Sequence, residues 1–137
     1  MINKHYLAGF IDGEGCIGIY KHKDNRTEKG YTLHSVVIIS NTNKSLLEEI
    51  NRITNGELRK RQKLRGNKQI YVIHLQDIQG ILNLMKLINP YLLIKKEQSK
   101  LMIEFCKSRI KNKNRKYTDR EYEIAEIFTI INKRGEV

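Results

Sequence analysis

The sequence contains no tryptophan, a single proline and only two cysteines in 137 residues. Cys16 and Cys106 stand ninety residues apart with no Cys-x-x-Cys spacing. That usage disfavours both a disulfide scaffold and a zinc module. His5, His22, His34 and His74 lack metal-ligand spacing and none sits with a cysteine, which argues against a zinc nuclease. No apolar run approaches about 18 residues, and no basic-then-apolar segment opens the chain. Neither a membrane span nor classical secretion is therefore expected. Acidic residues are scarce as well, with 15 Asp and Glu against 26 Lys and Arg. The imbalance leaves a net charge of +11 and a pI near 9.7.

What is present is a basic chain with enough apolar content to fold. Hydrophobic residues make up 39% and charged residues 30%. That is too apolar for disorder and too basic for an ordinary small-molecule enzyme. The length indicates one domain over residues 1–137, with a core over 1–110 and a basic linker and last helix over 111–137. Ile, Lys and Asn together supply 49 residues, which points to AT-rich coding DNA and carries no chemistry. Positive charge is dense in two runs, 59–68 (Arg59, Lys60, Arg61, Lys63, Arg65, Lys68) and 107–116 (Lys107, Arg109, Lys111, Lys113, Arg115, Lys116). Each run reads as a nucleic-acid patch or as solvated surface. Two of them in so basic a chain favour nucleic acid.

Periodicity predicts the element order. The first thirteen residues read as a helix capped by Asn3, with Tyr6, Leu7, Phe10 and Ile11 at helical spacing and Gly13 and Gly15 ending it. From Cys16 the period becomes two, a strand running out through His22 and Asp24. A turn over 24–30 leads to a partner strand over 31–40. Asn43 caps a helix over 44–54 that Asn55-Gly56 stops. A second hairpin follows, Glu57–Leu64, a turn at Arg65-Gly66-Asn67, then Gln69–Leu75. Asp77 caps a helix that Pro90 stops. Helices over 95–110, with Leu101, Ile103, Phe105 and Ile110 as apolar members, and from Thr118 or Asp119 onwards complete the chain. The order α-β-β-α-β-β-α-α-α is an α+β fold, one antiparallel sheet with helices on one face.

Residues 7–15 read Leu-Ala-Gly-Phe-Ile-Asp-Gly-Glu-Gly. This closely resembles the motif of the LAGLIDADG homing endonucleases, with Phe10 and Glu14 as variants, and the element order is similar to the family fold over nearly the whole chain. The resemblance implies a saddle-shaped sheet with an αββαββα core and an extra C-terminal helix. It also implies metal-dependent cleavage of duplex DNA at a long pseudo-palindromic site, in the service of intron or intein mobility. One copy of the motif is present, and the single-motif members that this chain resembles act as homodimers. Mg²⁺ or Mn²⁺ is the implied cofactor, with Ca²⁺ expected to bind without supporting cleavage.

The residue chemistry supports that expectation independently. Ala8, Gly9 and Gly13 place small groups on one helix stripe, which lets two helix backbones approach closely. Two glycines in a helix cost ~1 kcal/mol each against Ala and need a packing reason. Pairing with a second copy supplies it, and an ordinary contact within the chain is the other reading. Glu14 lies at the helix C-terminus, where the dipole disfavours an anion. Two-fold pairing would crowd two such acids, which a hard cation relieves, with the Gly13 carbonyl as a further oxygen ligand. The resemblance gives Glu14 the metal role and makes Asp12 a brace of the motif, within an expected interface of Ala8, Gly9, Asp12 and Gly13. It also implies that Asn41 positions a water and that Lys95 stands near the scissile phosphate, where a cation stabilises developing charge. Asn41 reads equally as a turn or capping residue, and Lys95 as an exposed lysine.

The sheet is the expected reading surface, because an antiparallel ribbon fits the major groove. Tyr20, His22 and Asp24 share one parity, with Arg26 in the loop beyond. Thr32 and His34 share another with Val36 and Ile38, and Arg59, Arg61 and Lys63 a third. If Tyr71, Ile73 and Leu75 face the helices, then Ile70, Val72 and His74 face DNA. Lys68 completes the expected contacts. About ten residues of strand span ~33 Å, so a dimer covers roughly twenty base pairs. Two other readings use the same scaffold: an RNA-splicing maturase that contacts intron RNA, and a DNA-binding regulator that has lost cleavage. A basic ribosome-associated protein explains the charge but not residues 7–15. The expected location is wherever the intron DNA resides, an organelle or a bacterial, archaeal or phage-infected cytoplasm.

Overall fold

The computed structural model describes residues 2–61, 68–113 and 115–134. Helix α1 (Lys4–Glu14) starts at Asn3, whose side-chain oxygen accepts from the Tyr6 N–H at 2.9 Å. It buries Leu7, Ala8 and Ile11. Strands β1 (Gly15–Lys23) and β2 (Tyr31–Asn41) form the first hairpin, and helix α2 (Lys44–Thr54) follows a cap by Asn43. Asn55 adopts φ 54° and stops α2 in the left-handed conformation, which asparagine tolerates better than most residues. The Asn51 side chain then clasps Gly56, accepting from its N–H at 2.8 Å and donating to its carbonyl at 3.0 Å.

Strands β3 (Glu57–Lys60) and β4 (Tyr71–Leu75) pair antiparallel and complete a sheet of order β1-β2-β4-β3. Asp77 caps helix α3 (Ile78–Ile88), a 3-10 turn at Asn89–Tyr91 holds Pro90, and helices α4 (Lys96–Lys111) and α5 (Asp119–Arg134) follow. The α+β order is as the periodicity predicts. The second hairpin is shorter than expected. β4 starts at Tyr71 rather than Gln69, and residues 62–67, with Lys63 and the expected turn at 65–67, lie outside the described residues.

One core joins the sheet to every helix. Ile17, Ile19, Leu33, Val37, Ile39, Ile73 and Leu75 point from the sheet towards Leu7, Ile11, Leu47, Ile50, Met85, Phe105 and Phe128. Phe105 and Phe128 are fully buried, and truncating either to Ala removes about 3–5 kcal/mol. α5 therefore belongs to the same core instead of trailing behind it, with Tyr122, Ile124, Ala125 and Phe128 buried. On α4 the buried stripe is Met102, Phe105 and Cys106, while Ile110 is exposed, a rotation from the expected face. Burial pushes the Cys106 thiol up to about 12, so it is a packing residue and not a nucleophile.

Candidate active site and nucleic-acid interface

The motif helix ends against the turn that opens α4. Asp12 Oδ2 accepts from the Leu93 N–H at 2.7 Å, and Oδ1 accepts from the N–H groups of Ile94 and Lys95 at 3.1 and 2.9 Å. Burial opposes the charge, but these three donors and the Lys95 ammonium more than offset it and hold the carboxyl below its usual range. Lys95 Nζ donates in turn to the Asp12 carbonyl at 2.6 Å, capping one of the orphan acceptors at the end of α1. Gly15 N–H bonds the Ile11 carbonyl. A Cβ on Gly15 would stand 2.9 Å from that oxygen, so only glycine fits there.

Glu14 emerges from this braced turn into solvent. Its carboxylate makes no hydrogen bond or ion pair among the described residues. It shares a hollow of about 260 Å³ with Ser40, Asn41, Thr42, Arg61 and Ile70. Pairing explains the meeting: Gly15 is in register with Ile39, and Arg61 N–H bonds the Ile70 carbonyl at 2.8 Å. The end of β2 and the start of β4 thus converge on the end of α1. Asn41 Oδ1 accepts from the Asn43 N–H at 2.8 Å, the turn geometry that was its alternative reading. A second hollow of about 450 Å³ opens on the other side of β1, lined by Cys16, Tyr20, Ile94, Lys95, Gln98 and Asn132. Ser40, Thr42 and Gln98 were not anticipated. Ser40 carried a signal, because it shares parity with Ile38 on the open face.

No group of three His, Cys, Asp or Glu able to hold a metal occurs among the described residues. One chain offers one exposed carboxylate beside hydroxyl, amide and carbonyl oxygens. That all-oxygen donor set fits a Mg²⁺-type ion, which takes one or two carboxylates with water and phosphate, and it does not fit zinc.

Register assembles the open face of the sheet. Tyr20 stands opposite His34, His22 opposite Thr32, Ile38 opposite His74, and His74 opposite Glu57. The His22 and His34 rings lie 5.0 Å apart, and His34 Nε2 is 2.9 Å from Thr32 Oγ1. Ile73 and Leu75 are buried in the core, so Val72 and His74 take the opposite face. Burial and the Arg59 charge hold His74 below the usual histidine range. Two expected contacts are altered. β1 stops at Lys23, and Asp24 leaves the strand to bind Arg26 in the turn at 3.0 Å. Arg59 pairs with Glu57 at 2.7 Å, which cancels part of the charge expected on β3.

The exposed side of α1 also needs correction. Ala8 is 0% exposed and belongs to the chain's own core, and the Asp12 carboxylate is engaged inside the chain. Gly9 and Gly13 are the exposed small positions, and a Cβ on either meets nothing within 4 Å. Tyr6 stands beside them, and the adjoining turn presents Leu93 at 88% and Ile94 at 73% exposure.

The open face of this α+β fold carries imidazole, hydroxyl and guanidinium groups, with an acid unpaired among the described residues at one end, an arrangement suited to a polyanionic ligand. The sequence profile described as LAGLIDADG endonuclease matches residues 7–108, and the chain belongs to that family. No curated protein sequence matches it. Solved structures share the fold. The homing endonuclease I-CvuI, in complex with the I-CreI target in the presence of Mg and not having cleaved the DNA, is 20% identical with a TM-score of 0.70, over 95% of this chain and 80% of that one. The archaeal intron-encoded homing endonuclease I-Vdi141I, complexed with DNA, is 17% identical with a TM-score of 0.68, over 95% of this chain and 96% of that one. I-LtrWI, bound to target DNA, is 25% identical with a TM-score of 0.70, over 92% of this chain and 43% of that one.

Proposed function

We propose that the chain is a homing endonuclease that acts as a homodimer, binding a long pseudo-palindromic duplex across its open sheet face and hydrolysing one phosphodiester in each strand. The observation that carries this reading is Glu14, an exposed acid without a partner among the described residues at the end of the motif helix, facing a hollow shared with Asn41 and Arg61. An acid left unpaired where the helix dipole is unfavourable is costly unless it serves a ligand. Gly9 and Gly13 allow two α1 helices to meet backbone to backbone, and Tyr6, Leu93 and Ile94 give that contact an apolar border.

Glu14, with the Gly13 carbonyl, would hold a divalent cation of the Mg²⁺ type. When bound, such an ion lowers the pKa of a water and stabilises the departing oxygen. The chain's own groups do the rest. Asn41, fixed through Asn43, orients a water but cannot remove its proton. Arg61 draws a phosphate towards Glu14, and Lys95, anchored on the Asp12 carbonyl, supplies positive charge from the neighbouring hollow. Tyr20, His22, Thr32, His34 and His74 present the hydrogen-bonding groups that read base edges, while Lys68 neutralises phosphate.

Incubation of the protein with a randomised duplex library, with Mg²⁺ or with EDTA, followed by sequencing of the ends, tests this. The expected result is one consensus site with staggered ends, cut only with Mg²⁺. Uncut DNA under both conditions, or cutting that persists in EDTA, refutes the reading.

A further inference from the structure

We infer that the corner between α4 and α5 is a phosphate clamp for duplex DNA lying outside the half-site that the sheet reads. The inference rests on the proposed DNA-binding function. Lys107, Lys111, Lys113, Arg115 and Lys116 are all exposed, and none makes an ion pair among the described residues. Among the described residues Arg26 pairs with Asp24, Arg109 with Glu121, and Arg120 with Glu104 and Glu123, while Arg52 and Arg61 make no ion pair. Arg59 on the reading face is paired with Glu57 as well. Five exposed cations without an ion pair among the described residues therefore gather on this one corner.

The corner is a built structure and not a solvated loop. Glu121 is 0% exposed and gathers Ser108 Oγ at 2.7 Å, Arg109 Nη1 at 3.2 Å and the Thr118 N–H at 2.7 Å. Thr118 Oγ1 accepts from the Glu121 N–H, completing a reciprocal cap on α5. Arg109 also reaches the Arg115 carbonyl and lies 4.5 Å from the Tyr117 ring. The Tyr117 hydroxyl then bridges both backbone groups of Leu33, accepting from its N–H at 3.0 Å and donating to its carbonyl at 3.3 Å. β4 pairs β2 only from Val37 to Asn41, so this hydroxyl serves the stretch of β2 that β4 leaves uncovered.

Position and cost complete the argument. Leu33 is in register with Lys21, six residues along β1 from Gly15, or about 20 Å from the end of the motif helix. The corner therefore stands at the outer end of the sheet, where a duplex tracking β1 and β2 continues past the protein. The α4 dipole favours Lys107 and Lys111 near its C-terminus, but Lys113, Arg115 and Lys116 lie beyond that helix and just before the positive end of α5. Like charges gathered on one exposed corner repel one another unless an external anion relieves them. A row of phosphates along one strand, rising about 3.4 Å each along the duplex axis, supplies one.

The test uses the duplex recovered from the library, once trimmed to roughly twenty base pairs and once extended by about ten on each side. Affinity is measured by fluorescence anisotropy in EDTA across a salt series, for the wild type and for the variant Lys107→Gln/Lys111→Gln/Lys113→Gln/Arg115→Gln/Lys116→Gln. For the wild type, extension tightens binding at least about tenfold and steepens the salt dependence by about 0.9 per added phosphate contact. The variant binds the trimmed duplex as the wild type does and gains nothing from extension. The smaller variant Lys113→Glu/Lys116→Glu, confined to exposed side chains outside both helices, gives the same result if the larger one folds poorly. A variant that still gains from the flanks, or a wild type that never does, overturns the clamp while leaving the sheet reading intact. Equal tightening by an RNA duplex of the extended length also overturns it. Failure of the wild type to bind the trimmed duplex overturns the endonuclease reading itself, and the clamp with it.

Discussion

The last turn of α1 has an inner and an outer side, and they hold its two acids under opposite conditions. On the inner side Asp12 is buried against three backbone N–H donors, its charge fully matched within the chain. On the outer side Glu14, two residues later, is exposed and faces a hollow, with no hydrogen bond or ion pair among the described residues. The same residue chemistry thus serves two ends. A carboxylate whose oxygens are occupied holds structure together, and one whose oxygens are open remains available to a ligand. The nearby glycines divide in the same way, since Gly15 is locked against the Ile11 carbonyl while Gly9 and Gly13 face open space.

Glu14→Gln tests the outer side and carries the largest expected effect. Cleavage with Mg²⁺ falls by at least about a thousandfold, because the charge available to the reaction is lost from each subunit. Affinity for the recovered duplex, measured in Ca²⁺, stays the same or rises, since the acid repels phosphate. Cleavage at the wild-type rate would move the chemistry to another acid. Loss of binding together with cleavage would make Glu14 a second structural residue and erase the contrast with Asp12.

Gly13→Leu sharpens the same division. A Cβ there meets nothing within 4 Å among the described residues, so the variant is expected to fold, and its helix gains up to ~1 kcal/mol from losing a glycine. The added bulk should keep a second α1 away. Sedimentation is expected to report a 16.2 kDa monomer with no double-strand cleavage. A dimer that survives would locate the interface elsewhere.

Asp12→Ala probes the inner side. It strands the N–H groups of Leu93, Ile94 and Lys95 and lowers stability by about 3 kcal/mol, read as a fall in the urea midpoint. Asp12→Asn keeps the shape and one acceptor, and costs roughly half as much. The smallest effect is the pH dependence. The folded carboxyl of Asp12 sits below its ordinary value, so its contribution is complete above about pH 4 and is lost as acid protonates it below that. The gap in stability between wild type and Asp12→Asn should narrow from pH 7 to pH 3. A constant gap would mean that the charge of Asp12 contributes nothing.

Much of the fold was legible because it is local. Asn3, Asn43 and Asp77 cap their helices through their own side chains, and Asn55 stops α2 by adopting a conformation open to few residues. The period-two alternation of β1 and β2 names the residues of each face directly. Where the reading failed, the deciding partner was distant or ambiguous. Ala8 and Gly9 look alike in a small-residue stripe, and only the packing of α1 on the sheet separates them. Arg59 reads as a free cation until the pleat of β3 places it beside Glu57. The buried face of α4 could not be chosen by periodicity, because Leu101, Met102, Ile103, Phe105 and Cys106 offer apolar groups on overlapping arcs.

The α+β order, the caps, the motif and the surplus of positive charge follow from the residues alone, since each depends on neighbours within a few positions or on composition. The fold supplied the partners that enclose Asp12, the acid the motif's resemblance marked as a brace, and that leave Glu14 open. Asp12 is bound through donors more than eighty residues away, at Leu93, Ile94 and Lys95, and nothing local to residues 7–15 signals that they will be there. It likewise decided that Tyr117, through Leu33, fixes a cationic corner at the outer end of the sheet. Contacts of that sequence separation exist only once the chain has closed its core, so the long-range partners of a charge become known only with the fold.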